Sequence, residues 1–189
     1  MTRPELLVIG PYPDWDMAAL EESYSVHRLW EAAARASFIA ERAEKIQAIA
    51  TRGDLGASAE LMGQLPNLRI VSVFGVGTDG VDLTFARANN IDVTNTPDVL
   101  TGDVADLGMA LLLAAARLMP KGDALVRSGA WPNGGLPLTT RVFGKKVGVV
   151  GMGRIGQAFA KRAPGFDCEI SYYSRTKQTG LPYHFFPGL

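Results

Sequence analysis

The chain has 189 residues, 47% of them hydrophobic and 20% charged, so it can bury a core and is not disordered. Lys and Arg total 19 and Asp and Glu total 19, so no net field argues for nucleic acid or an anionic membrane surface. The single cysteine, Cys168, excludes an internal disulfide and fits a reducing compartment.

That length suits one large domain or two small ones. The N-terminus, Met1-Thr2-Arg3-Pro4-Glu5, has no secretory leader pattern. The longest apolar helix candidate, Val104–Met119, contains Asp106 and Arg117 and is too short to span a bilayer. The expectation is a cytoplasmic protein with no membrane or nucleic-acid partner.

In chain order, short apolar runs alternate with helical patterns. Leu6–Gly10 reads as a strand and Asp14–Glu22 as a helix. Tyr24–Trp30 reads as a second strand, Ser37–Glu44 as a helical turn or two, and Ile46–Thr51 as a third strand. Ser58–Gln64 is helical, Ile70–Phe74 a fourth strand, Val81–Asn89 helical, and Ile91–Asn95 a fifth strand. Runs rich in Val and Ile, bounded by Gly, Pro and Asn, support the strands. The alternation predicts a parallel sheet with helices on both faces.

Thr96-Pro97-Asp98 breaks this pattern, because proline biases Thr96 to an extended conformation and can pre-set a helical first turn. A domain boundary is expected near Asp98. Asp98 or Thr101 can cap the long helix that follows, which runs to Met119 and is apolar on most faces. Such a helix is expected to be buried, within a domain or against a partner subunit. Pro120-Lys121-Gly122 is expected to end it, with another helix over Asp123–Gly129 and a Gly/Pro-rich loop over Trp131–Thr140.

An apolar strand then enters Gly151-Met152-Gly153-Arg154-Ile155-Gly156. A strand, Gly-x-Gly-x-x-Gly and a helix in that order form the phosphate-binding turn of a dinucleotide fold. Gly151 permits the tight turn, Gly153 lets a pyrophosphate approach, and Gly156 lets helix and strand pack closely. The helix beginning near Arg154 aims free N–H groups and its positive end at the phosphates.

The second strand of this unit, Glu169–Tyr173, leads into Ser174-Arg175-Thr176-Lys177. An NAD site has an acidic residue here, about 20 residues after the motif, to accept from the ribose 2′-OH. A guanidinium flanked by hydroxyls attracts a 2′-phosphate instead, which favours NADP(H) over NAD(H). A solvated basic loop is the plainer alternative.

Three other segments are informative. The turn Phe74-Gly75-Val76-Gly77-Thr78-Asp79-Gly80 exposes backbone N–H groups able to hold a carboxylate, with Asp79 and Asp82 more suited to bracing the turn. Arg52, at the carboxyl end of the third strand, either pairs with a substrate carboxylate or is an exposed charge. His27 reads as structural, and His184 falls in the terminal tail without a carboxylate neighbour in sequence. Cys168 reads as a small buried residue.

Taken together, these segments resemble the D-isomer-specific 2-hydroxyacid dehydrogenases, particularly the glyoxylate/hydroxypyruvate reductase branch. The resemblance rests on Val73–Asp82, on Asn95-Thr96-Pro97-Asp98-Val99-Leu100-Thr101 with Val104–Leu107, and on Pro137–Thr140. It continues through Gly151–Gln157 and Ser174-Arg175-Thr176, in family order over essentially the whole chain.

The resemblance implies a flavodoxin-like substrate domain over residues 1–98 and the first part of a Rossmann nucleotide-binding domain over 99–189. It implies NADPH-dependent reduction of glyoxylate or hydroxypyruvate, and a homodimer through the 99–140 region. Val76 and Gly77 match the substrate-carboxylate loop. Met152, Gly153, Arg154 and Ile155 match the pyrophosphate positions, Ser174, Arg175 and Thr176 the 2′-phosphate pocket, and Thr101 the approach to the nicotinamide. The family's catalytic Arg, Glu and His lie downstream of these segments, so no catalytic residue is assigned within the chain. The expectation is a C-terminally incomplete chain, inactive alone, that at most binds nucleotide or pairs with a full-length subunit.

Overall fold

The Val- and Ile-rich runs become parallel strands, most of them joined by helical crossovers. The computed structural model describes residues 3–189; Met1 and Thr2, the start of the segment examined for a leader, lie outside the described residues. The chain divides into two compact units, one ending at Pro97 and the other beginning at Asp98.

In the first unit the elements are β1 (Glu5–Val8), α1 (Asp14–Ser23), β2 (Ser25–Arg28), α2 (Arg35–Ala40) and β3 (Ile46–Arg52). They continue with α3 (Ala59–Gly63), β4 (Ile70–Phe74), α4 (Leu83–Ala88) and β5 (Asp92–Thr94). All five strands are parallel, in the order β2-β1-β3-β4-β5, which is the flavodoxin-like winding. Alternation along the strands divides the side chains between two layers. Leu7, Ile9, Ile49, Val71 and Val73 pack with Ile39 of α2, Met62 of α3 and Ala86 of α4. Leu6, Val8 and Ala50 pack with Met17 of α1.

Two expected boundaries shift. The second strand stops at Arg28, and Leu29–Glu31 is a 3-10 turn rather than strand. The helix expected over Ser37–Glu44 forms earlier, as α2. Ser58 caps α3 and Asp82 caps α4, each side chain accepting the N–H three residues on.

The second unit contains α5 (Thr101–Ala116), α6 (Met119–Arg127), β6 (Lys146–Val150), α7 (Arg154–Arg162), β7 (Glu169–Tyr173) and β8 (His184–Phe186). The strands are parallel in the order β6-β7-β8. Val149, Ile170 and Tyr172 turn one sheet face towards Met109 of α5 and Ala160 of α7. Val150 and Phe186, on the other face, are exposed.

The long helix also differs. It ends at Ala116, not Met119, and Leu118 takes a left-handed conformation with φ 52°. Pro120 then lies in the first turn of α6, where its missing N–H costs nothing, so it starts a helix rather than ending one. Neither Asp98 nor Thr101 caps α5; the N-cap is Leu100, without a side-chain bond. Nor is the helix buried all round. Val104, Leu107 and Leu111 are exposed, at helical spacing on one face. The tail around His184 is not unstructured, because β8 pairs with β7.

Candidate functional site

The sequence-predicted residues fall in both units, at strand ends, turns and helix starts. In the first unit, β3 and β4 are neighbours and Arg52 pairs in register with Phe74. The strand ends therefore bring Arg52 beside the turn containing Val76 and Gly77. Gly53 and Gly77 approach closely enough that a β-carbon at Gly53 would lie 3.1 Å from the Gly77 carbonyl oxygen.

Arg52 is already engaged. Its Nε and Nη2 donate to the Asp54 carboxylate at 3.0 and 2.8 Å, and its Nη1 donates to the Pro11 carbonyl at 3.1 Å. This fork raises the Arg52 pKa and lowers that of Asp54. The same strand end is braced by Tyr12, whose hydroxyl donates to the Thr51 carbonyl at 2.6 Å. Burial pushes the Tyr12 phenol up to about 12, against a lowering by the Phe74 backbone.

Val76 and Gly77 are exposed, and among the described residues neither backbone N–H donates a hydrogen bond. Adjacent free N–H groups on a turn form an anion-binding concavity. Sequence reasoning missed the residues that hold this turn, Asn95 and Thr96. Asn95 Nδ2 donates to the Val76 carbonyl at 2.8 Å, and the Thr96 N–H donates to the Gly75 carbonyl at 2.9 Å. The Thr96 hydroxyl accepts the Gly75 N–H at 3.2 Å. The signal that finds them is the pairing of β4 with β5, not any spacing along the chain.

In the second unit, the Gly151 turn lies between β6 and α7. Gly151 has φ 97°, a conformation that side chains rarely adopt. A β-carbon at Gly156 would lie 2.0 Å from the Gly151 carbonyl oxygen, whereas one at Gly153 would meet nothing within 4 Å. The helix and turn are thus in backbone contact at Gly156, and the approach over Gly153 is open. Gly153 is the N-cap of α7, whose first N–H groups face that opening.

The other assigned residues divide by exposure. Met152 is 1% exposed and belongs to the core, so only its backbone is available. Ile155 is exposed. The Arg154 guanidinium is exposed and paired, with Nε 2.9 Å from Asp98 Oδ1. Thr101 opens α5 on the segment carrying Asp98. Ser174 follows the last residue of β7, and its hydroxyl donates to the Thr176 carbonyl at 2.6 Å, closing the loop. Arg175, on the crest of that loop, makes no ion pair among the described residues.

The two histidines are occupied elsewhere. His27 Nε2 lies 2.5 Å from Glu5 Oε2, a partner that sequence distance concealed. Burial would raise the Glu5 pKa, but the bonds from His27 and Ser25 and the charges of His27 and Lys45 lower it overall. His184 stands edge-on to Phe186, with ring centroids 4.6 Å apart. Among the described residues no group of three or more His, Cys, Asp or Glu is placed to hold a metal. No helix among them is long and apolar enough to cross a membrane.

Residues 6–180 match the family profile described as D-isomer specific 2-hydroxyacid dehydrogenase, catalytic domain. A hydroxyphenylpyruvate reductase of Plectranthus scutellarioides is 45% identical over 96% of the chain and 58% of its own length. The solved 2-hydroxyacid dehydrogenase of Ketogulonicigenium vulgare Y25 superimposes with TM-score 0.89 at 51% identity, over 98% of this chain and 59% of that one. An NADPH-dependent glyoxylate/hydroxypyruvate reductase of Sinorhizobium meliloti, solved with NADP and malonate, gives TM-score 0.89 at 40% identity, over 98% of this chain and 58% of that one. The chain therefore spans somewhat over half the length of the relatives it matches.

Proposed function

Because the chain belongs to the D-isomer-specific 2-hydroxyacid dehydrogenase family, we propose that the whole protein reduces a small 2-keto acid, glyoxylate or hydroxypyruvate, to the D-2-hydroxy acid with NADPH. The observation that carries this reading is the Gly151 turn, closed by Gly156 and open over Gly153. Such a cradle fits a pyrophosphate, which the N-terminus of α7 and Arg154 hold by dipole and charge. Arg175 with Ser174 and Thr176 fits a 2′-phosphate, and no carboxylate stands at the end of β7 to repel it. The NADPH dependence stated for the Sinorhizobium meliloti relative supports that preference. When bound, the nicotinamide supplies the hydride, and Thr101 is assigned to its side of the site.

The substrate carboxylate is assigned to the free N–H groups of Val76 and Gly77, with Arg52 beside them. The carbonyl oxygen needs a proton as it becomes an alkoxide, and general acid catalysis contributes about 10²–10⁴-fold. His27 lies on edge strand β2, with β1 and β3 between it and β4, and is bound to Glu5. His184 packs edge-on against Phe186. Neither is assigned the acid role. The exposed face of α5 is assigned to a homodimer through residues 99–140, and the protein to the cytoplasm.

The partial span of the relatives supports a second reading: that these residues alone bind nucleotide, or pair with a full-length subunit, without turnover. Assays of glyoxylate and hydroxypyruvate with NADPH and NADH, on this chain and on the whole protein, separate the two. The reading expects NADPH-dependent loss of keto acid by the whole protein. The absence of turnover with either acid refutes it.

A further inference from the structure

We propose that Asn95 is a positioning residue for the 2-keto acid, acting through the orientation of the Gly77 N–H. The inference rests on the carboxylate assignment made above for Val76 and Gly77.

The argument is one of peptide geometry. The described chain contains no cis peptide bond. In a planar trans peptide, the C=O of one residue and the N–H of the next point in opposite directions. A donor that captures the carbonyl therefore fixes the direction of the N–H behind it. The Val76 carbonyl accepts Asn95 Nδ2 at 2.8 Å, so the Gly77 N–H is turned away from Asn95. The Gly75 carbonyl accepts the Thr96 N–H at 2.9 Å, so the Val76 N–H is turned away from Thr96.

Neither of these two N–H groups has an acceptor among the described residues. Both carbonyls are captured by consecutive residues just after β5, from the same side. The two N–H groups are thus left together on the opposite side. A free turn of this kind flips its peptides readily, and each flip presents a carbonyl to an incoming carboxylate. Asn95 suppresses the flip at Val76–Gly77. The partner restraint comes from the Thr96 backbone, so Asn95 is the only one of the two that a side-chain substitution can remove.

The test is a titration of the full chain, ¹⁵N-labelled, with oxamate, which carries the carboxylate and carbonyl of a 2-keto acid. The wild-type protein is expected to shift the Val76 and Gly77 amide signals together. Asn95→Ala and Asn95→Ser are expected to weaken oxamate binding about tenfold and to lose the Gly77 shift while Val76 still responds. The melting temperature and NADPH affinity are expected to stay unchanged. In turnover by the whole protein the same variants raise KM for the keto acid and leave kcat within about twofold. If the variants bind oxamate as the wild type does, or only the melting temperature moves, Asn95 is merely structural and the proposal is overturned. If the wild-type amides do not respond, the carboxylate assignment itself fails and the proposal falls with it.

Discussion

Gly156 touches Gly151 backbone to backbone: a β-carbon on Gly156 would sit 2.0 Å from the Gly151 carbonyl oxygen, with Val149 Cγ1 at 3.4 Å. Nothing flexible can give way, because the obstructing atom belongs to the turn that the cofactor reading requires. Gly156→Ala must push α7 away from β6, an overpacking cost of about 1–3 kcal/mol. Thermal unfolding should show that loss, and NADPH binding should fall with it. Gly153→Ala is the contrast. Its β-carbon meets nothing in the protein, so stability should stay within about 0.5 kcal/mol while nucleotide affinity drops. Equal unfolding temperatures for Gly156→Ala and wild type would refute the packing argument.

Arg175 bears on cofactor choice. Charge-assisted bonds contribute about 1.5–3 kcal/mol, so Arg175→Ala should weaken NADPH binding about ten- to a hundredfold. NADH has no 2′-phosphate, and its affinity should hardly change. Fluorescence titration with both nucleotides decides the matter, and a parallel loss for the two would sink the 2′-phosphate assignment.

Arg52 and Asp54 make a prediction that separates the two roles open to Arg52. If the substrate draws on this guanidinium, Asp54 competes for it through Nε and Nη2. Asp54→Asn should then lower KM for the keto acid by about twofold or more, since surface pairs contribute up to about 1 kcal/mol. An unchanged or raised KM assigns Arg52 to bracing the Pro11 loop alone.

The Glu5–His27 pair predicts a pH dependence. The folded Glu5 pKa is lowered, so its ionised form stabilises the fold. That contribution is present above the ordinary glutamate value, about 4.3, and is lost as pH falls through the lower folded value. Glu5→Gln should therefore melt below wild type at neutral pH, by about 1 kcal/mol for a half-buried pair between β1 and edge strand β2. The two curves should converge as pH drops below about 4. A gap that widens on acidification would reverse the sign and exclude the pair as its cause.

The winding of the first unit was legible in the sequence because each strand carries its own signal, a Val/Ile run closed by Gly, Pro or Asn. So was the Gly151 turn, whose glycines are local requirements of backbone geometry. What stayed hidden depends on partners distant in sequence. Glu5 meets His27 only because β1 and β2 pair, and Asn95 meets Val76 only because β5 lies beside β4. Pro120 was misleading for a different reason. Proline punctuates a helix at either end, and only the left-handed Leu118 before it tells which end is meant. The apolar pattern of α5 left two coverings open, the domain or a partner subunit, because such a pattern states that a helix is covered without naming what covers it.

That face yields the last prediction. Val104, Leu107 and Leu111 fall at helical spacing, and Leu107 and Leu111 are 56% and 60% exposed. On the other side, α5 is fastened to α7 by Arg162, whose Nε lies 2.5 Å from Asp106 Oδ1, so the exposed face is held rigid. Leucines left in water on a fixed helix favour burial against a like surface, at about 25 cal/mol per Å² of apolar area removed from water. A twofold axis across α5 would set the same patch against itself. Leu107→Arg and Leu111→Glu place charges in that patch without disturbing the core, because both side chains point outward. Light scattering should give a dimer mass for the wild type and a monomer mass for each variant. Because the sites are exposed within the subunit, circular dichroism should remain that of a folded chain. A wild-type monomer, or variants that remain dimeric, would assign the patch to some other contact.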